Sequence, residues 1–304
     1  MTNAGNLLAS TPARIMIVGY PGAGKTGALA CIANAGYKLR IIDFDGNLEP
    51  LLLHLDSRAL PLVDAIHFED ELRSANKFIE VVGIPSAFNN ALKSMKHWVT
   101  TDENGEEVDL GRSADWGPDT VVVIDSLTSM GTAAFNRTLK ACNRNPMNCT
   151  RQIWGSAMAD QDAAIRIMRG EKTRYHLVVL AHLKIIGPKD IEQGDTDLTK
   201  QLKASVAEIV PTRLFPSALG RQLSPEIGGR LPTLILAEAQ TRANSTKRVL
   251  VTEPRPELDL KVPVKGLPKT LPIESGLLTI FEALGHKSPG FEDPAPTTRG
   301  TSHG

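Results

Sequence analysis

Gly19, Tyr20, Pro21, Gly22, Ala23, Gly24, Lys25 and Thr26 stand in the order G-x-x-x-x-G-K-[ST], a combination suited to holding a polyphosphate. Glycines let main-chain N–H groups curl around an anion without side-chain clashes, and a helix amino terminus just beyond adds partial positive charge. The predicted contacts run over Gly19 and residues 21–27, namely Pro21, Gly22, Ala23, Gly24, Lys25, Thr26 and Gly27. Lys25 would reach the β and γ phosphates, and the Thr26 hydroxyl would join the octahedral shell of Mg2+. The expected ligands are therefore ATP, or a similar nucleoside triphosphate, and Mg2+.

A second candidate is Asp125, which closes the apolar run Val121-Val122-Val123-Ile124. An acid at the carboxyl end of a buried strand is the usual second ligand of the metal beside such a loop. Ser126, not glutamate, follows it, so the acidic pair that many helicases use to polarise water is missing there and a base must come from elsewhere.

Elements able to position these groups are legible around them. Residues 14–19 (RIMIVG) read as a strand, the glycines as a turn, and 25–35 as a helix stopped at Gly36. Residues 37–43 (YKLRIID) read as a second strand, with Asp43 and Asp45 at its carboxyl end, and a helical crossover between the two implies parallel pairing. Helical patterning is expected over 69–80 and 87–99, a surface hairpin or loop around Asn104-Gly105, and a third strand at 120–125. Helices at 126–140 and 153–169 precede a fourth strand at 176–182 (HLVVLAH). The polar stretch 187–203 reads as a mobile loop, 231–238 and 247–253 as antiparallel strands extending the sheet edge, and 274–284 as an amphipathic helix. The domain is expected over 13–286, between a flexible start at 1–12 and a proline-, glycine- and threonine-rich tail at 287–304 that cannot bury enough apolar surface to order itself.

Lysine plus arginine equal aspartate plus glutamate at 34 each, so no global charge marks a nucleic-acid or membrane partner. Residues 137–174 nonetheless carry eight basic side chains against three acidic ones, an excess that would suit a phosphate backbone and equally a solvated face or a subunit contact. Arg144 and Arg151 are the DNA-contact candidates there, with Lys184, Lys200 and Lys203 around the polar loop. Only Trp154 and Tyr175 are near for stacking, so any DNA affinity should be mostly electrostatic and salt-sensitive. Cys31, Cys142 and Cys149 have neither metal-ligand nor disulfide-framework spacing, residues 1–12 lack a leader pattern, and no apolar run reaches membrane length. The expectation is a cytoplasmic protein with no membrane partner.

The segment Ile42-Asp43-Phe44-Asp45-Gly46-Asn47-Leu48-Glu49-Pro50 resembles the RecA family, whose catalytic acid follows the second strand, and Ile124-Asp125-Ser126 fits the same register. A closer resemblance is to phage-encoded RecA-like ATPases, the group that includes single-strand annealing proteins. It runs over about 13–284 and rests on the phosphate loop, on Asp115-Trp116-Gly117-Pro118-Asp119-Thr120 leading into Val123-Ile124-Asp125-Ser126-Leu127-Thr128, on Ala181-His182 and on Pro216-Ser217-Ala218-Leu219-Gly220. The resemblance implies an α/β fold with a mostly parallel sheet in RecA-like order, the fourth strand lying between the first and third. It implies ATP hydrolysis coupled to single-stranded DNA in phage recombination or replication, in the host cytoplasm, as a homo-oligomer with a possible single-strand DNA-binding protein as partner. Asp45 takes the position of the catalytic acid, where the family has the longer glutamate. His182 takes that of a γ-phosphate sensor, and Lys184 that of a basic residue reaching across a subunit boundary. A small-molecule kinase would need an arginine-rich lid, which no segment supplies; a nucleotide-gated binding or assembly protein with weak hydrolysis, and a DNA motor, stay open as alternatives.

Overall fold

The computed structural model describes residues 11–75, 78–102, 104–170, 172–186, 213–242 and 245–291. Its centre is an eight-stranded sheet whose strands are β1 (Arg14–Val18), β2 (Lys38–Asp43), β3 (Val63–His67), β8 (Thr120–Asp125), β9 (His176–Ala181), β12 (Thr233–Arg242), β13 (Ser245–Val251) and β14 (Thr270–Pro272). They lie in the order β14-β13-β12-β1-β9-β8-β2-β3. All pairings from β12 to β3 are parallel, and β13 and β14 add an antiparallel edge. The fourth strand of the sequence reading, β9, does sit between β1 and the third, β8, so the fold is the RecA-like α/β arrangement.

Why these strands are buried on both sides follows from their composition. β1, β8 and β9 are apolar almost throughout, the pattern of a parallel sheet covered by helices on both faces. Alternate residues then feed two separate cores. Met16, Val18, Ile42, Val122, Ile124 and Val179 face α4 (Leu127–Ala141) and α5 (Arg151–Met168) through Leu127, Met130 and Ile165. Ile15, Ile17, Ile41, Val123 and Val178 face Leu29, α1 (Ala30–Asn34) and α7 (Ile273–Ala283) through Ile32, Leu277 and Phe281. Both long helices start on a side-chain cap: Ser126 accepts from the Ser129 amide and Thr150 from that of Ile153.

The region between β3 and β8 departs from the sequence reading. Among the described residues of 69–80 there is no helix; β4 (Leu72–Ala75) pairs antiparallel with β5 (Phe78–Val81). Leu72, Ser74, Ile79 and Val81 share one face of the ladder at a period of two, and on the other Arg73 meets Glu80 at 2.8 Å, a pair that a helix would separate. Helix α3 (Ala87–Ser94) is shorter than expected, and the Asn104-Gly105 turn joins β6 (Val99–Thr101) to β7 (Glu107–Asp109) as a hairpin. Strand β3 went unread because Asp64 interrupts its apolar pattern; the structure satisfies that carboxylate with the Trp98 indole N–H at 2.9 Å. The helix expected over 25–35 is reduced to a 3-10 turn, Gly27–Leu29, and the five residues of α1.

Of the polar stretch 187–203, every residue lies outside the described ones, as do residues 1–10 and 292–304. At the other end, Lys287 O accepts from the Tyr37 hydroxyl, the Gly290 amide donates to Ala35 O, and the Arg58 guanidinium sits over the Phe291 ring. The packed body thus runs to Phe291, past residue 286 where the sequence reading ended it. No helix among the described residues is long and apolar enough to cross a membrane.

Candidate nucleotide site

The phosphate loop leaves β1 at Gly19 and is squeezed between two strands. Its amide donates to Ala181 O, and a Cβ at Gly19 would lie 2.6 Å from Ala237 O on β12, so only glycine fits. Gly22 and Gly24 have φ of +76° and +94°, the left-handed region that turns the loop's amides inward. The Ala23 amide donates to Tyr20 O, closing the turn, and Gly27 packs under the Pro50 carbonyl at the start of the helix.

Lys25 is buried, and its ammonium donates to the carbonyls of Gly19 (3.1 Å) and Tyr20 (3.2 Å), with His182 Nδ1 at 3.4 Å. Burial lowers its pKa, and Asp125 and Asp45 counter that by favouring the charged form. The Thr26 hydroxyl donates to Asp125 Oδ2 at 2.8 Å. Asp125 is almost wholly enclosed; burial, with the nearby charges of Asp45 and Asp43, pushes its carboxyl up to about 7, against the Thr26 hydrogen bond and Lys25. A low-dielectric carboxylate pressed by like charges is one that a divalent cation would neutralise.

Asp45 completes the cluster from the end of β2. Its loop is folded by Asp43, whose Oδ1 accepts from the amides of Asp45 and Gly46 at 2.9 Å each. The Asp45 carboxylate accepts from Ser126 Oγ at 3.1 Å and has His182 Nε2 at 3.8 Å. Burial acts against its ionisation, but hydrogen bonds from His182, Ser129 and Ser126 outweigh it and hold the carboxyl below its ordinary value. Two neighbouring acids are therefore driven in opposite directions, which separates their roles. His182 is fixed by its own amide, which donates to Thr128 Oγ1 at 3.2 Å.

These groups share one cleft of about 640 Å3, large enough for a nucleotide. Lys25, Thr26, Asp45, Asp125 and His182 all line it, as do Pro21, Gly22, Gly24 and Gly27. Among the described residues no group of three or more His, Cys, Asp or Glu side chains is arranged to hold a metal unaided. The Thr26 hydroxyl and Asp125 carboxylate are nevertheless hard oxygens 2.8 Å apart, a donor set that fits Mg2+ arriving with phosphate oxygens and waters. Sequence reasoning missed Asn47, Leu53 and His54 on the α2 side (α2 being Glu49–Leu52), and Arg248 and Ile273 on the β13 side. Apart from Asn47, which falls inside the segment 42–50, none lies in a motif; tertiary packing puts them there.

The expected DNA contacts are elsewhere. Arg144 and Arg151 are exposed in the connection from α4 to α5 and at its far end. Arg137 and Arg166 in the same basic stretch are ion-paired with Asp160 (2.5 Å) and Asp162 (2.7 Å), which reduces the free positive charge. Lys184, on β10 (Leu183–Ile186), which pairs with β11 (Arg213–Pro216), is half-buried and donates at 3.4 Å to Gly220 O, at the start of α6 (Gly220–Ile227). Lys200 and Lys203 lie outside the described residues.

No protein-family model matches the chain, and no curated protein does. Among solved structures, a KaiC-like protein of the archaeon Pyrococcus horikoshii is 11% identical, over 86% of this chain and 84% of that one, with a TM-score of 0.37. An ATPase from the type III secretion system of pathogenic bacteria is 11% identical over 76% of this chain and 54% of that one, also with a TM-score of 0.37. The flagellar accessory protein of Methanocaldococcus jannaschii is 10% identical over 89% and 90% of the two chains, with a TM-score of 0.34.

Proposed function

We propose that this chain binds ATP with Mg2+ in the cleft above β1, β8 and β9, hydrolyses the terminal phosphoanhydride, and uses the nucleotide state to control a hold on single-stranded DNA in phage recombination or replication. The observation that carries the nucleotide half is the convergence of Lys25, Thr26, Asp125, Asp45 and His182 on one cleft at the mouth of a loop whose Gly22 and Gly24 adopt left-handed φ. When bound, Mg2+ supplies charge neutralisation between the phosphates, and Thr26 and Asp125 are the residues that would hold it.

The geometry supports one role for each residue. Lys25, already drawn toward two carbonyls, offers its ammonium to developing charge on the terminal phosphate. Asp45, kept ionised by its donors, is the acceptor that orients the attacking water, and His182 lies between it and Lys25 as a donor to the terminal phosphate. Water attacks phosphorus as the bridging oxygen departs, giving ADP and inorganic phosphate.

What supports a coupling to DNA is a physical path. Ser126 contacts Asp45, caps α4 and begins a 15-residue helix that ends just before Arg144. A shift of Asp45 between nucleotide states would thus be felt at the basic connection roughly 22 Å away, at 1.5 Å per residue. The annealing or strand-exchange reading, the homo-oligomer and the single-strand DNA-binding partner rest on resemblance alone. A second reading, a nucleotide-gated assembly protein with weak hydrolysis, is favoured by one observation: Asp45 is already engaged by Ser126, and it is a methylene shorter than the family's glutamate.

The deciding experiment measures phosphate release with and without single-stranded DNA at 50 and roughly 200 mM salt, on wild type and Lys25→Ala. Hydrolysis that DNA stimulates at low salt and that the variant lacks supports the proposal. Hydrolysis without any DNA binding removes the recombination half, and nucleotide binding without hydrolysis turns the reading to the gated binder.

A further inference from the structure

The cleft has two ends, and the strand order tells them apart. Asp125 and Asp45 leave β8 and β2, two and three strands from β1 on one side; Arg248 stands on β13, two strands from β1 on the other. At about 4.8 Å per strand, the hydrolytic groups extend some 10–14 Å one way from the loop and Arg248 about 10 Å the other. A triphosphate whose terminal phosphate faces Asp45 and His182 must send its nucleoside toward β13.

The β12–β13 hairpin reaches that place because β12 outruns β1. Val18, the last residue of β1, pairs with Leu236, while β12 continues to Arg242. Arg248, opposite Ala239, is thereby carried beyond the sheet edge to the flank of the phosphate loop. Its Nε donates to Gly22 O at 3.0 Å, and its Cδ would lie 2.8 Å from a Cβ on Gly24. The side chain is exposed along the cleft wall, and Ile273, the first residue of α7 and otherwise buried in the core, edges the cleft with its Cγ1 3.4 Å from the same Gly24 position. A planar cation held by one nitrogen, with an aliphatic side chain beside it, is a surface on which a flat, electron-rich ring can stack.

Resting on the nucleotide reading above, we infer that Arg248 and Ile273 form the nucleoside subsite of this cleft, with the Arg248 guanidinium stacking on the base while its Nε stays on Gly22 O. Arg248 is thus a specificity-determining contact that distinguishes a nucleotide from a bare polyphosphate. Purine rings, with the larger face, are held more tightly than pyrimidines.

The test compares equilibrium binding of Mg-ATP, Mg-CTP and inorganic Mg-tripolyphosphate to the full chain, as wild type, Arg248→Ala, Arg248→Lys and Ile273→Ala. The expected result is a loss of about tenfold for ATP in Arg248→Ala, with tripolyphosphate affinity unchanged within about twofold. Arg248→Lys, which can still donate to Gly22 O but has no plane, should show the same selective loss, and Ile273→Ala a smaller one. Equal losses for ATP and tripolyphosphate would assign Arg248 to holding the loop and overturn the subsite. Full ATP affinity in Arg248→Ala would overturn it as well. Wild type that binds tripolyphosphate and ATP alike also sinks the subsite while leaving the phosphate loop intact; wild type that binds neither sinks the nucleotide reading itself.

Discussion

Replacing Asp125 with asparagine should turn a nearly flat dependence of stability on pH, in the nucleotide-free protein, into a rising one. Asparagine keeps the shape and can still accept from Thr26 Oγ1, but it cannot ionise. In the native chain the carboxyl titrates near 7, against 3.8 for its ordinary value. A native value above the unfolded one means the folded state holds the proton more tightly. The stability that comes from it is complete below about pH 4 and disappears as pH rises through 7. At 1.36 kcal/mol per unit, wild type should lose on the order of 2–3 kcal/mol from this group between pH 5 and pH 8. His176 works the other way. Buried and edge-on to Tyr37, with Nδ1 accepting from the Ala13 amide, it is pushed down to about 3 by burial first and then by His286. An imidazole held neutral costs stability once the unfolded chain protonates, about 2 kcal/mol at pH 5, and that cost vanishes by pH 8. Wild type should therefore look nearly flat from pH 5 to 8. Asp125→Asn keeps the His176 contribution, with His286, lowered by burial, acting in the same direction, and should gain at least roughly 2 kcal/mol over the same interval. Urea midpoints at half-unit steps, with the slope checked for constancy, read this directly. Parallel profiles for the two proteins would refute the claim that enclosure and neighbouring charge, not the Thr26 hydrogen bond, dominate this carboxyl.

Three further outcomes follow from the same geometry. Asp45→Asn should lower kcat about 10²- to 10⁴-fold in steady-state phosphate release while leaving Mg-ATP affinity within about threefold, because in the proposed reaction the group orients water and does not grip phosphate; an equal loss in both would assign Asp45 to binding. Gly24→Ala forces a side chain onto a residue at φ +94° with Arg248 Cδ only 2.8 Å away, and should cost about 1–3 kcal/mol in denaturant unfolding and abolish nucleotide binding. Arg144→Ala with Arg151→Ala should reduce the slope of log affinity for single-stranded DNA against log salt by about 1.4, or 0.7 per lost phosphate contact, without changing ATP affinity. An unchanged slope would move the DNA contact off this connection.

The sequence by itself determined the groups whose neighbours in space are neighbours in the chain. The glycine loop, its lysine and threonine, and the acid closing Val121–Ile124 are local patterns, since amide direction, left-handed φ and strand burial are set within a few residues. The strands β1, β2, β8 and β9, the two long helices and the C-terminal antiparallel pair were legible for that reason. The position of Asp45 and His182 needed a resemblance as well, because nothing in residues 43–46 or 181–182 says which strand lies beside which. Tertiary structure alone decided the rest. It paired 72–75 antiparallel with 78–81, where the Arg73–Glu80 pairing and a period of two prevailed over helical spacing, and it made a strand of 63–67 by giving Asp64 a partner 34 residues away at Trp98. It also brought Arg248 and Ile273 to a loop more than 220 residues earlier in the chain. Such contacts arise from register and strand order, quantities that depend on how every element packs at once, so no window of sequence contains them.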